Sequence, residues 1–176
     1  KALAIGADNA VRVDIDPTDS FNVAKQIAAV AKEGEYDLII AGRESIDYNG
    51  GQVPGMLAAL LDWPFVNACV GMEGEGEAYT MTREIDGGKE KISTSLPFVV
   101  AGQKGLVEEK DLRIPNMRGI MQARSKPLEV KAPVEAGSKT HAGMYSKPAP
   151  KSTVKMVDAE NISDLVRMLH EDAKVI

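Results

Sequence analysis

The chain has 176 residues, a net charge of −5 and 44% hydrophobic residues. It is long enough for one domain with a sizeable core, and its acidic balance argues against a nucleic-acid partner, which needs a basic face. The single cysteine, Cys69, excludes an internal disulfide framework and fits a reducing compartment. We expect the bacterial cytoplasm rather than the mitochondrial matrix. No apolar run approaches membrane-spanning length. The opening "KALAIGAD" is typical of the last turn of a helix, and we expect the chain to be N-terminally incomplete.

The first half of the chain alternates strand and helix patterns. "AVRVDI" at 10–15 predicts a strand, and residues 20–33 carry apolar side chains at helical spacing after a cap at Asp19 or Ser20. Gly34 is expected to end this helix in the left-handed conformation. "DLIIAG" predicts a buried strand, and "VPGMLAALLDW" predicts a helix with Pro54 in its first turn. This order predicts a parallel α/β sheet.

The pattern then changes to alternating segments that turn on glycines. "EAYTMTREI" and "KEKISTSL" flank "DGG", which predicts an antiparallel hairpin, and "PFVVAG" predicts one more buried strand. The predicted fold is therefore a three-layer α/β/α domain with a mainly parallel sheet and an added hairpin.

From residue 127 the composition becomes rich in Pro, Lys, Ser and Gly, with no helical period. One reading is a disordered linker, and the other is an extended arm that lies on a partner. The arm is favoured because residues 161–176 predict an amphipathic helix, which needs an apolar surface to bury its stripe. We therefore predict an α/β nucleotide-binding domain at 1–126 and a C-terminal arm and helix, contacting a partner subunit, at 127–176.

The loop after "DLIIAG" lies where parallel sheets bind ligands, beyond the carboxyl end of a strand. Its glycines at 42, 50 and 51 permit close backbone approach, and Val53 can donate a main-chain N–H at the start of a helix. Such a loop could hold a phosphate with few basic side chains, with Arg43 near at hand. Glu44 and Asp47 would either hold the loop's shape or accept ribose hydroxyls. A plain polar connection is the alternative, because the loop matches no phosphate-binding motif.

Other chemistry is not indicated by the sequence. His141 and His170 are far apart, and no Cys, His and Asp set has the spacing of metal ligands. No nucleophile has a base at motif spacing, so we predict no catalytic residue and no metal site.

The whole chain resembles the β subunit of electron-transfer flavoprotein. The resemblance rests on four ordered stretches: "KALAIGADNAVRV", "AGRESIDYNGGQVPGMLAALLDWP", "REIDGGKEKISTSLPFVV" and "NMRGIMQARSKPLEV". It implies a heterodimer in which a redox-active FAD lies mainly on the α subunit, while β has an α/β fold, buries AMP and wraps α with its C-terminal arm. Such a complex carries electrons from dehydrogenases, such as acyl-CoA dehydrogenases, to a downstream acceptor, and β itself is not an enzyme. In electron-bifurcating members a second FAD replaces the AMP.

The resemblance also assigns residues. It implies that the nucleotide is contacted by Gly42, Arg43, Ile46, Asp47, Asn49, Gln52 and Val53. The family often has Thr at the place of Val53, so a hydroxyl is lost there while the N–H is kept. It further implies partner recognition by Met117, Arg118 and Ile120, with Met117 at the place of an exposed apolar residue, commonly Leu. The alternative for Met117 is an ordinary core methionine.

Two readings from other classes remain beside this one. A nucleotide-binding module like a stress protein would share the α/β domain, but gives no reason for a recognition segment and a long arm. An ATP-using enzyme of related architecture would need a glycine- and serine-rich pyrophosphate loop near its N-terminus.

Overall fold

The computed structural model describes residues 1–151 and 153–176; residue 152, within the predicted arm, lies outside the described residues. The described chain forms two compact units, Lys1–His141 and Ala142–Ile176. The predicted division into a domain at 1–126 and an arm at 127–176 that contacts a partner subunit stays a prediction.

The first unit contains both helices and strands. Its helices are α1 (Ala2–Ile5), α2 (Ser20–Glu33), α3 (Val53–Leu61) and α4 (Met117–Ala123), with a 3-10 turn at Glu109–Asp111. Its strands are β1 (Ala10–Val13), β2 (Leu38–Gly42), β3 (Phe65–Glu75), β4 (Ala78–Ile85), β5 (Gly88–Ser95), β6 (Phe98–Gly102) and β7 (Leu128–Lys131).

The strands form two sheets. The larger has the order β2-β6-β3-β4-β5, in which β2, β6 and β3 are parallel and β3, β4 and β5 are antiparallel. The smaller pairs β1 with β7 in parallel. The turn between β4 and β5 is Asp86-Gly87, with Gly87 at φ 84°, as the "DGG" pattern predicts. The mixture of parallel and antiparallel pairing with helices confirms the predicted three-layer α/β class.

Strand β3 joins the parallel and antiparallel halves of the larger sheet. Val66 pairs in parallel with Val100 of β6, whereas from Cys69 onward β3 also pairs antiparallel with β4. The register shifts between Val66 and Cys69, and Ala68 has φ 52°, a left-handed conformation that is costly for a residue other than glycine. This bulge lets one strand change partners.

The core beside this bulge consists of Val66, Cys69, Met81, Phe98 and Val100. Phe98 and Met81 are fully buried, and each such side chain contributes about 1.5–3 kcal/mol through burial. The edge of the Tyr79 ring packs on Phe98 with centroids 5.3 Å apart. The continuous apolar run of β6 thus forms the centre of the core, as expected for a strand covered on both faces.

Helix α2 begins and ends with recognisable caps. The Asp19 carboxylate accepts the N–H of Asn22 at 2.7 Å, which confirms the predicted N-cap. The expectation for Gly34 is wrong: its φ of −96° and ψ of 158° are extended, not left-handed. A Cβ at this position would lie 2.2 Å from the Tyr36 ring, so any other residue would require the ring to move.

Residues 127–141 belong to the first unit and lie against its strand β1 and helix α2. Strand β7 pairs with β1, and the chain that follows bonds to side chains of α2. Asn22 Nδ2 donates to the carbonyl of Ala136 at 2.9 Å, and Asp19 accepts the N–H of Thr140 at 2.8 Å. These residues of the predicted arm are therefore ordered by contacts within the chain.

The second unit contains α5 (Ile162–Arg167), which continues as a π-helical turn at Met168–Asp172. Asn161 Nδ2 donates to Asp164 Oδ2 at 2.7 Å, and Arg167 lies 3.6 Å from Glu171. Of the predicted apolar stripe, Ile162, Leu165 and Val166 are exposed, at 67%, 43% and 50%, whereas Leu169 is half-buried.

Candidate functional site

Strands β2 and β6 end at one level of the larger sheet, and the parallel pairing of β3 with β6 ends at the same level. Gly42 at the end of β2 lies opposite Gly102 at the end of β6, and Cys69 of β3 lies opposite the same Gly102. The ladder continues one residue further, because Arg43 N–H donates to Gly102 O at 3.0 Å and Gln103 N–H donates to Cys69 O at 2.9 Å. Backbone pairing therefore fixes where Arg43 and Gln103 leave the sheet.

The side chains of these two residues form a linked chain of polar groups. The Arg43 guanidinium donates through Nη1 to Gln103 Oε1, and Gln103 Nε2 donates to Glu84 Oε2. Glu84 belongs to β4 and follows Arg83, which pairs with Cys69 across the antiparallel ladder. A cation on β2's loop is thus connected to an anion on the hairpin through one amide.

The loop between β2 and α3 is open to solvent. Arg43 to Asn49 are all exposed, and Ile46 is 100% exposed. Ser45 N–H donates to Gly50 O at 3.1 Å and closes the loop. Asn49 has φ 51°, a conformation that asparagine tolerates better than most residues. The loop has a defined shape while its side chains remain accessible.

Asp47 shapes this loop. Its carboxylate accepts the N–H of Tyr48 at 2.8 Å and a hydrogen bond from the Ser45 side chain. The Ser45 hydrogen bond, followed by that from Tyr48, holds the pKa of the Asp47 carboxyl below its ordinary value. Of the two roles expected for this acid, holding the loop's shape is the one its contacts display.

Helix α3 begins without a side-chain cap. Gln52 is the N-cap residue, yet its side chain makes no capping hydrogen bond, and Pro54 in the first turn has no N–H. The first N–H groups of a helix carry partial positive charge and attract anions. The N–H of Val53, the first residue of α3, is therefore suited to an anionic ligand held at this end of the loop.

A buried polar atom lies in the bulged part of β3. Asn67 Oδ1 is buried and has no hydrogen-bond partner within the described residues. Unpaired buried carbonyls are uncommon in folded proteins. This oxygen is an unused acceptor on β3, the strand whose Cys69 carbonyl accepts the N–H of Gln103.

The predicted nucleotide residues thus occupy one loop. Gly42 ends β2, Arg43, Ile46, Asp47 and Asn49 form the exposed loop, and Gln52 and Val53 open α3. The loop offers main-chain donors and one arginine, which is the donor set that suits a phosphate group. Sequence reasoning missed Gln103 and Glu84, because only the strand order brings them beside Arg43.

The residues predicted for partner recognition lie together on α4. Met117 is 75% exposed, Ile120 is 42% exposed, and Arg118 is exposed. Asn116 caps this helix by accepting the Gly119 N–H at 2.8 Å. Helix α4 packs closely on α1, since a Cβ at Gly119 would lie 2.4 Å from Ala4 O. Met117 is therefore not the core methionine of the alternative reading.

Exposed apolar surface continues on the chain before α4. Ile114 is 80% exposed and Leu112 is 55% exposed, and neither was singled out from the sequence. The signal available was the run of apolar residues separated by polar ones in "LRIPNM".

Two classes of site are not seen in the part of the chain that the structure describes. No helix there is both long and apolar enough to cross a membrane. Nor do three or more His, Cys, Asp or Glu side chains in the described ranges gather closely enough to hold a metal ion.

Comparison with known proteins gives a consistent result over nearly the whole chain. The family model of the electron transfer flavoprotein domain matches residues 1–136. The electron transfer flavoprotein subunit beta of Bacillus subtilis is 35% identical over 189 residues, covering 99% of this chain and 72% of that protein.

Two further organisms supply similar proteins. The human electron transfer flavoprotein subunit beta is 32% identical, covering 99% of this chain and 70% of the human protein. The protein of the same name from Syntrophomonas wolfei is 36% identical, covering 92% of this chain and 64% of its own length.

Proposed function

We propose that the chain pairs with an α subunit and carries electrons from dehydrogenases such as acyl-CoA dehydrogenases. The proposal starts from the family, because the chain belongs to the electron transfer flavoprotein family as a β subunit. An acceptor downstream receives the electrons. The chain acts as a carrier subunit rather than as an enzyme. We place the protein in the bacterial cytoplasm as part of the same proposal.

The observation that carries the proposal is the alignment of two strand ends, and of the end of the parallel part of β3, beneath one exposed loop. Gly42, Gly102 and Cys69 lie at one level, and Arg43 leaves the sheet there at the beginning of the loop that leads to the uncapped start of α3. Ligands of open α/β sheets bind beyond the carboxyl ends of the strands. We therefore assign AMP to this loop, with its phosphate toward the N–H of Val53 and the guanidinium of Arg43.

The residues present fit such a nucleotide. A phosphate needs donors, and the loop supplies backbone N–H groups and one arginine. The Asp47 carboxylate accepts hydrogen bonds from Ser45 and Tyr48, so it stabilises the loop and its oxygens are occupied within the loop. The role of this chain's residues is then to bind and orient a nucleotide, while reversible acceptance of electrons is supplied by the FAD held mainly by α.

Two apolar surfaces support the pairing with other proteins. Met117 is 75% exposed on α4, and the stripe on α5 is exposed in its own unit. Exposed apolar groups at regular spacing are typical of contact sites. We assign the stripe on α5 to the α subunit and the Met117 surface to the electron-donating dehydrogenase.

A second candidate within the family uses the same site. Val53 lacks the hydroxyl often found at its place, so phosphate recognition there depends on the N–H alone. A second FAD in place of AMP would present a diphosphate to the same N–H, and this would make the protein the β subunit of an electron-bifurcating flavoprotein. A stress-protein-like nucleotide-binding module is the remaining alternative.

Electron transfer is the direct test. The co-expressed α and β subunits would be mixed with a medium-chain acyl-CoA dehydrogenase and its substrate under anaerobic conditions. We expect the visible absorbance of the α-bound flavin to bleach, to an extent set by the amount of heterodimer. If no acyl-CoA dehydrogenase tested bleaches the flavin, the proposal that acyl-CoA dehydrogenases donate the electrons is wrong.

A further inference from the structure

We propose that Gln103 is the positioning residue of the nucleotide site: it holds the Arg43 guanidinium at the carboxyl ends of the strands so that the remaining donors of Arg43 meet the nucleotide's phosphate. This inference rests on the proposed nucleotide-binding function. Gln103 lies outside the loop between β2 and α3. It also lies outside the four stretches on which the family resemblance rests.

Gln103 is fixed at both its backbone and its side chain. Its N–H donates to Cys69 O at 2.9 Å, on the strand that bulges at Ala68. Its amide oxygen accepts from Arg43 and its amide nitrogen donates to Glu84. Because only one orientation of the amide satisfies both partners, these contacts also fix which end of the amide faces Arg43.

Arg43 needs such a support. It is exposed, and within the described residues it forms no ion pair with a carboxylate. A free arginine loses considerable rotamer freedom when it binds a ligand. The bond to Gln103 uses one of the five guanidinium N–H groups and leaves the others for a second acceptor.

The neutral amide suits this role better than a carboxylate would. A carboxylate directly on Arg43 would neutralise the cation and repel a phosphate at short range. Gln103 instead places the anion, Glu84, one side chain further away on β4 while keeping the hydrogen-bonded connection. Arg43 is thereby oriented while its charge remains available.

The test compares AMP with adenosine, which lacks the phosphate. The α–β heterodimer would be freed of β-bound nucleotide, and the affinity for each probe measured by equilibrium titration. For Gln103→Leu we expect AMP to bind about threefold to tenfold more weakly, with adenosine unchanged, because one ordered long side chain is lost. Gln122→Leu, the same substitution on exposed helix α4, serves as the matched control and should change neither affinity.

Variants of Glu84 test the hydrogen-bonded chain from Arg43 through Gln103 to Glu84 without changing Gln103 itself. Glu84→Gln keeps an acceptor for Gln103 Nε2 and should retain AMP affinity, whereas Glu84→Leu should weaken AMP in the same direction as Gln103→Leu. If Gln103→Leu does not fold, the two Glu84 variants still decide the matter.

The outcomes separate the two levels of the account. If the unsubstituted heterodimer binds neither AMP nor adenosine, the proposed nucleotide function is wrong and the role of Gln103 falls with it. If it binds AMP but Gln103→Leu binds AMP equally well, or loses AMP and adenosine alike, nucleotide binding stands and the positioning role of Gln103 is overturned.

Discussion

Gln26 and Val134 exchange two hydrogen bonds although 108 residues separate them. Gln26 Nε2 donates to Val134 O, and Val134 N–H donates to Gln26 Oε1, each at 2.8 Å. Gln26 is 5% exposed, so a helix side chain pairs with an extended backbone in a site that excludes most water. The beginning of the predicted arm is therefore held by the domain itself.

Gln26→Leu should loosen this attachment. The substitution keeps the side-chain volume approximately but leaves the N–H and C=O of Val134 without their partners, at a cost of about 1–3 kcal/mol. Urea unfolding should show a lower midpoint, and hydrogen exchange should quicken at residues 134–136. Lys32→Leu, at an exposed position of the same helix, is the control and should leave both unchanged.

Asp19 should make the same attachment depend on pH. Hydrogen bonds from the N–H groups of Asn22 and Thr140 hold the pKa of the Asp19 carboxyl below its ordinary value of 3.8. A lowered folded-state pKa contributes stability above the unfolded-state pKa, and this contribution is lost as pH falls through the folded-state value.

The measurement is the difference in unfolding free energy between the unsubstituted protein and Asp19→Asn. We expect the variant to be less stable at neutral pH and the difference to shrink as the pH falls below the ordinary carboxyl pKa of 3.8. A difference that grows on acidification would contradict the assignment. Asp16→Asn, at an exposed position three residues earlier, is the control.

Much of the central sheet and its helices could be predicted from residue patterns. The apolar run of β6 is typical of a strand buried on both faces, whereas the same prediction for β2 is wrong, because β2 is an edge strand and its Ile40 is 57% exposed. The Asp19 cap and the Asp86-Gly87 turn act through local chemistry alone. Local signals of this kind do not depend on distant parts of the chain, which is why they were read correctly.

The rest depends on contacts between distant segments. The pairing of β1 with β7 joins residues 118 positions apart, as from Ala10 to Leu128, and no local pattern specifies it. Gln103 looks like an ordinary polar residue after a strand until the order β2-β6-β3-β4 places it between Arg43 and Glu84. The left-handed conformation expected for Gly34 is wrong because the chain leaves α2 in an extended conformation toward β2, which no local pattern specifies.

Substitutions of Val53 test whether the loop holds nucleotide by its backbone. Val53→Pro removes the N–H at the first position of α3, where proline is tolerated, and should lower the nucleotide content of the purified heterodimer sharply. Val53→Thr keeps the N–H and should keep or raise that content. Val53→Ala is the control for lost side-chain volume.

Nucleotide would be extracted and quantified by chromatography, with the thermal midpoint recorded for each protein. Equal content in the proline, threonine and unsubstituted proteins would show that the Val53 N–H does not hold the phosphate.

Met117→Ala should slow electron transfer from the partner dehydrogenase without dissociating the α subunit. The side chain is 75% exposed, so its removal leaves the fold intact but deletes an adaptable apolar contact. Rates would be followed by flavin absorbance at increasing dehydrogenase concentration, with Ile114→Ala examined beside it because that residue is 80% exposed.

Met121→Ala, at another exposed position of α4, is the matched control for these rates. Transfer at the unsubstituted rate in Met117→Ala would show that this residue does not belong to the recognition surface.

The central claim is that the chain binds an adenine nucleotide as the β subunit of a flavin-containing heterodimer. The most direct measurement is to co-express the intact protein with its α subunit, purify the complex, and quantify flavin and AMP per heterodimer. We predict a yellow one-to-one complex with one FAD and one AMP, while two FAD and no AMP would identify the bifurcating type. A colourless β chain that stays apart from α and contains no adenine nucleotide would contradict the account.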